Sequence, residues 1–159
     1  VNAWLGKLFQ IAFRKVRSGL RNVRFGAGEF APRIALLQQP LDDSMNQDKL
    51  FLLKPGFEDP AYPGQKFYCW HCALIEGVLA SFPALGSDLD IERVEWQRPR
   101  KAVIALAGED NQSLPLLIVR DGDRSAFETG VHDGRSLIAD PHKILAALTE
   151  RHGFPPLHP

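Results

Sequence analysis

Phe67-Tyr68-Cys69-Trp70-His71-Cys72, FYCWHC, is the stretch from which the fold is read, and it holds both cysteines of the 159-residue chain in one C-x-x-C. Upstream, Leu50, Phe51, Leu52 and Leu53 form a short apolar run suited to a buried strand. Between the two, residues 55–67 carry Pro55, Pro60, Pro63 and two glycines, a loop composition. Downstream, Trp70, Ala73, Leu74, Val78 and Leu79 recur at three- and four-residue spacing. A helix therefore starts at the C-x-x-C, and Pro83 ends it.

Outward from this unit the alternation continues. Ile91, Val94 and Trp96 mark a second strand. Pro99 suits the first turn of a helix running through Ala107, with Gly108 just past its end. Leu114 to Val119 reads as a third strand and contains Pro115. Asp121-Gly122 and Asp133-Gly134 signal turns, which allow one or two further strands ending near Ser136 to Ile138. Asp140 caps a last helix with Pro141 at its first position, and Gly153 follows it. The strand–helix–strand unit implies a parallel pair with a right-handed crossover, and the turn-linked strands an antiparallel hairpin at one edge. The expected class is α/β, a central mixed sheet of about four strands flanked by about three helices.

This order resembles the thioredoxin-like fold. FYCWHC opens the first helix after the first strand, and SLPLLIV (113–119) is similar to that fold's third strand, whose entry proline is cis in the family. LIADPHKILAALTERHG (137–153) resembles the closing segment of the glutathione-transferase N-terminal domain. Residues 45–159 as a whole resemble a small bacterial family known only as domain of unknown function 3088, to which the closing HGFPPLHP adds. The pattern departs from its relatives in two places. The loop before Cys69 is longer than in thioredoxin or glutaredoxin, and Asp140-Pro141 stands where a transferase has an acidic residue and a serine. No all-helical second domain follows, so a complete transferase is not expected.

A thiolate, not a thiol, attacks a disulfide, and helix starts and nearby cations favour it. Cys69 sits where unpaired backbone N–H groups and the helix dipole attract negative charge, and His71 adds positive charge when protonated. Cys72 falls about one turn later, facing inward, placed to resolve a mixed disulfide formed at Cys69. Cys69 is read as the nucleophile and Cys72 as the resolving thiol. The histidine before the second cysteine resembles the motif of protein disulfide isomerases and periplasmic disulfide oxidases, implying a couple more oxidising than thioredoxin's. The thioredoxin-like resemblance also implies that Pro115 lies against the C-x-x-C and that Leu114 offers its N–H and C=O to an extended substrate. Trp70 is a candidate substrate contact, whereas Phe67 and Trp96 read as packing. Asp140 is most simply a helix cap, with a glutathione amino group as its second reading. His152 reads as favouring its helix C-terminus. A structural zinc site needs four ligands, so the two cysteines alone do not make one, and no metal is assigned.

Charge divides the chain. Residues 1–24 hold six basic residues and no acidic ones, whereas residues 45–159 hold 12 basic and 16 acidic, a net charge of −4. Trp4, Leu5, Leu8, Phe9, Ile11, Ala12, Phe13, Val16 and Leu20 fit a basic amphipathic helix, suited to a membrane surface or organelle targeting. The favoured reading is plainer. The chain starts at Val1 and its only methionine is Met45, so residues 1–44 read as an upstream extension outside the native protein. Overall, Lys plus Arg and Asp plus Glu are 19 each, which argues against nucleic-acid binding by bulk charge. No apolar run reaches the length of a spanning helix, and two cysteines exclude a disulfide-rich scaffold. The expected function is that of a cytoplasmic thiol–disulfide oxidoreductase acting on a substrate protein or on glutathione as co-substrate, with no cofactor required. The alternative is a non-catalytic binding module for a glutathione-like peptide or a protein partner.

Overall fold

The apolar run around Phe51 is the strand on which everything else is built. The computed structural model describes residues 45–159. In chain order the elements are β1 (Asp48–Leu53), β2 (Phe57–Glu58), β3 (Lys66–Phe67), α1 (Trp70–Ser81), β4 (Leu89–Val94), α2 (Lys101–Ala107), β5 (Leu116–Ile118), β6 (Gly130–His132), β7 (Arg135–Ile138) and α3 (Pro141–His152). Leu50, Phe51 and Leu52 are all fully buried because both faces of the sheet are covered. The two-residue alternation of a strand sorts them. Leu50 and Leu52 join Leu117 and Ile138 in a core with Ile75 of α1 and Ile144 and Leu148 of α3. Phe51 joins Leu116, Ile118 and Leu137 against Val103 and Ala107 of α2.

The sheet order is β4-β1-β5-β7-β6. β1 and β4 are parallel, joined through α1 as the expected crossover, and every other pairing in the sheet is antiparallel. The architecture is thus mixed α/β with five strands and three helices, one strand more than expected. Asp133 (φ 46°) and Gly134 (φ 80°) form the two-residue turn between β6 and β7, with the left-handed pair such hairpins require. α3 has the caps its sequence announces. The Asp140 carboxylate accepts from the Lys143 N–H at 2.9 Å, Pro141 opens the helix, and Gly153 closes it at φ 69°. Phe154 then folds back, buried, edge-on to Phe82.

Several expectations are corrected. The proline-rich stretch 55–67 contains a small antiparallel hairpin, β2 with β3, in which Phe57 pairs with Phe67. Trp96 lies beyond the end of β4. Pro99 is not the first helical residue, because α2 starts at Lys101 with Arg100 as its N-cap; the Arg98–Pro99 bond is cis. Pro115 precedes β5 instead of lying within it, since a residue without an N–H cannot serve the ladder. The Leu114–Pro115 bond is cis. The expected basic extension, residues 1–44, lies outside the described residues. Among the described residues, no helix is long and apolar enough to cross a membrane.

Register decides which loops share an end. Leu53 is level with Val94, Phe51 with Leu116, and Leu117 with Ile138. The ends of β1, β4 and β7 and the entry to β5 therefore meet at one edge of the sheet. Trp96, Leu114, Pro115 and Asp140 all lie within two residues of those strand ends. Asp48 and the C-terminus of α3 occupy the opposite edge.

Candidate functional site

Cys69 is the N-cap of α1, in extended conformation, and its carbonyl accepts the Ala73 N–H at 2.9 Å. The N–H groups of the first turn have no carbonyl acceptor within the helix, and the Cys69 side chain takes no capping hydrogen bond from them. Cys69 is half-buried and Cys72 is buried, and both are free thiols. The Leu53 N–H donates to Cys72 Sγ at 3.3 Å, so the last residue of β1 touches the inner sulfur directly. Burial pushes the Cys72 thiol up to about 12; the Leu53 N–H opposes the shift, and the adjoining Cys69 and Glu76 add to it. Cys72 is thus held protonated and shielded while Cys69 fronts solvent.

The aromatic neighbours divide between packing and exposure. Phe57 stacks on Trp96 with ring centroids 5.8 Å apart and leans on Phe67 at 6.2 Å, so Phe67 and Trp96 are half-buried packing residues, as expected. Trp70 is 61% exposed and Tyr68 68% exposed, both beside Cys69 in the chain. The Trp70 ring lies 3.6 Å from that of His71, centroid to centroid, and His71 is itself half-buried.

Sequence reasoning missed one set of residues at this end. Arg100 precedes α2, and its guanidinium donates to the carbonyls of Glu95 (3.1 Å), Trp96 (2.5 Å) and Gln112 (2.5 Å). Its own N–H donates to Gln112 Oε1 at 2.8 Å. This staple fixes the segment after β4 to the segment that leads into Leu114-Pro115. Burial and the nearby Arg98 lower the Arg100 pKa, which negative charge at either cysteine, once ionised, would oppose. Trp96, Arg98 and Arg100 line a hollow of about 320 Å³. The available signal was the basic run Arg98-Pro99-Arg100-Lys101.

Pro115 is buried and Leu114 half-buried at the entry to β5. Asp140 reaches the same edge as an exposed helix cap with one carboxylate oxygen engaged. The topology thus brings every predicted site residue to one end of the sheet. Among the described residues, no group of three or more His, Cys, Asp or Glu side chains is gathered to hold a metal ion.

A larger cavity, about 510 Å³, lies at the opposite end around Asp48, Asp123, Arg124 and Glu150. Its charged groups are spent mostly on one another. Asp48 is 1% exposed and takes the Arg151 guanidinium through both oxygens at 2.6 and 2.9 Å, His152 Nε2 at 2.8 Å and the Arg120 N–H at 2.9 Å. Arg151 also reaches Asp123 at 3.0 Å. Burial pushes the Asp48 carboxyl up, but the bonds from His152, Arg151 and Arg120 outweigh it and hold it well below the usual carboxylate range. His152 is therefore a partner of a buried acid, and not only a favourable charge at a helix end.

Residues 47–156 match the family described as "Protein of unknown function (DUF3088)", and the chain belongs to that family. No curated protein matches the chain, and no solved structure does.

Proposed function

We propose that this DUF3088 protein is a thiol–disulfide oxidoreductase of thioredoxin-like architecture, with Cys69 as nucleophile and Cys72 as resolving thiol. The observation that carries the reading is the placement of the pair. Cys69 fronts solvent at the start of α1, and Cys72 lies behind it against the Leu53 N–H. The strand–helix–strand unit that carries the cysteines, and Pro115 at the entry to a neighbouring antiparallel strand, support the architecture.

In this reading the Cys69 thiolate attacks one sulfur of a substrate disulfide. A Cys69–substrate mixed disulfide forms and the other half leaves as a thiolate, which takes a proton. Cys72 then loses its proton to solvent or to His71 and attacks Cys69 Sγ. The Cys69–Cys72 disulfide forms and the second substrate thiol departs. Two electrons pass from the protein dithiol to the substrate, and two glutathione molecules or one protein dithiol, themselves oxidised to a disulfide, restore the reduced pair. The high pKa of Cys72 suits a resolving group that stays silent until the mixed disulfide forms beside it. Leu114 is assigned to hold an extended substrate through its backbone, and Trp70 to cover it. The free oxygen of Asp140 is the candidate partner for an amino group. Acting as a reductant of disulfides, the pair suits a reducing compartment, the cytoplasm, and needs no bound cofactor.

The test is thiol release from bis(2-hydroxyethyl) disulfide by the reduced full-length chain. The wild type is expected to release two thiols per protein. Cys72→Ser is expected to stop at one, with the other half linked to Cys69, and Cys69→Ser to release none. Undiminished release from Cys69→Ser sinks the proposal. The second reading, a non-catalytic binding module, rests on the deep burial of Cys72. Ligand binding without exchange, surviving loss of both cysteines, would establish it.

A further inference from the structure

The described arginines are almost all spoken for. Arg93, Arg120, Arg124, Arg135 and Arg151 each face a carboxylate, and Arg100 is held by three carbonyls. Arg98 is exposed and has neither ion pair nor hydrogen bond among the described residues. It lines a hollow with Trp96 and Arg100. A short structural path joins that hollow to the cysteines. Trp96 lies two residues past Val94, Val94 is level with Leu53, and the Leu53 N–H touches Cys72 Sγ.

A guanidinium fork with no acceptor among the described residues, beside a largely apolar hollow that Trp96 lines, suits a carboxylate carried on a short apolar stem. About 320 Å³ lies at the low end of the range for small-molecule pockets, so the hollow admits part of a small ligand and not a folded partner. We infer that the Trp96–Arg98–Arg100 hollow seats the apolar stem, and the exposed Arg98 the carboxylate, of a small disulfide or thiol compound, with Arg98 as the residue that selects anionic over neutral or cationic substrates. This deepens the oxidoreductase reading and rests on it, because the selectivity serves exchange at Cys69. Arg100 shapes the hollow but spends its donors on the backbone, which leaves Arg98 as the group that meets the ligand.

The test uses a ligand that cannot exchange, so it is independent of redox activity. 3,3′-Thiodipropionate, a thioether dicarboxylate, is titrated into the full-length chain while the Trp96 indole N–H is followed by NMR. Saturable movement of that resonance is expected, and the dimethyl ester is expected to leave it in place. Arg98→Glu should weaken binding at least about tenfold, as loss of a charge-assisted bond implies. Lys101→Glu, an equal charge change on a residue outside the hollow, should weaken it no more than about twofold, since exposed charges act weakly at a distance. Absence of saturation, equal losses in the two variants, or equally tight binding of inorganic phosphate overturns the inference. Failure of thiol release from bis(2-hydroxyethyl) disulfide, by contrast, strikes the oxidoreductase reading itself.

Discussion

The two ends of β1 use charge in opposite ways. Asp48, at one end, is buried and receives Arg151, His152 and the Arg120 N–H, while Arg151 also holds Asp123. Leu53, about 16 Å along the same strand by the usual rise per residue, gives its N–H to a sulfur. Around it stand an exposed Trp70, an exposed Tyr68 and an Arg98 with no partner among the described residues. Ions that satisfy one another hold the chain ends of the domain together. The groups at the other end are exposed or only partly buried. The larger cavity belongs to the first end and the proposed chemistry to the second.

That contrast breaks most severely at Asp48. Asp48→Asn should lower unfolding stability by about 3 kcal/mol, because Arg151 and His152 lose their shared carboxylate in a buried place. Urea unfolding measures the loss, and thiol release by the folded fraction should be unchanged. A stability change below about 1 kcal/mol would put the network in the class of surface pairs.

Acid should expose the same difference more gradually. The Asp48 carboxyl is depressed in the fold and returns to about 3.9 on unfolding. Its stabilisation is therefore complete above that value and is lost as pH falls below about 4. Urea midpoints should stay level from about pH 7 to 5 and then drop, and Asp48→Asn should flatten part of the drop. Asp121 and Asp123 shift in the same direction through Arg135 and Arg151, so some of the fall should persist in the variant.

The smallest effect belongs to Asp140. Asp140→Asn keeps a good N-cap and removes the charge, so stability should move by no more than about 0.5 kcal/mol. A reduced rate with an amine-bearing disulfide such as cystine, and not with bis(2-hydroxyethyl) disulfide, would make Asp140 a ligand group at the cysteine end. Equal rates with both would leave it a cap alone.

Much of this was legible in the sequence where the chain makes its structure locally. β1 announced itself as an apolar run, α1 by its spacing from the C-x-x-C, and α3 by Asp140, Pro141 and Gly153. β2 and β3 did not, because strands of two residues carry no period and their pairing depends on Phe57, Phe67 and Trp96 meeting across a loop. Read from sequence, Pro99 starts α2 two residues too early, because Arg100, the actual N-cap, is held by the distant Gln112. The cysteines, Pro115 and Asp140 were found as motifs, and register then gathered them to one edge. The Arg98 hollow arises from the Arg100 staple across separate segments. Asp48 and Arg151 lie 103 positions apart, beyond the reach of any periodicity.

The bond from the Leu53 N–H to Cys72 Sγ has a practical corollary. A sulfur bound to a second sulfur is a different acceptor from a protonated thiol. One backbone proton, at the buried end of β1, would therefore register the electronic state of the pair. Its resonance is a native gauge, readable without dye or label chemistry, of how many molecules in a sample carry the bridge at any moment.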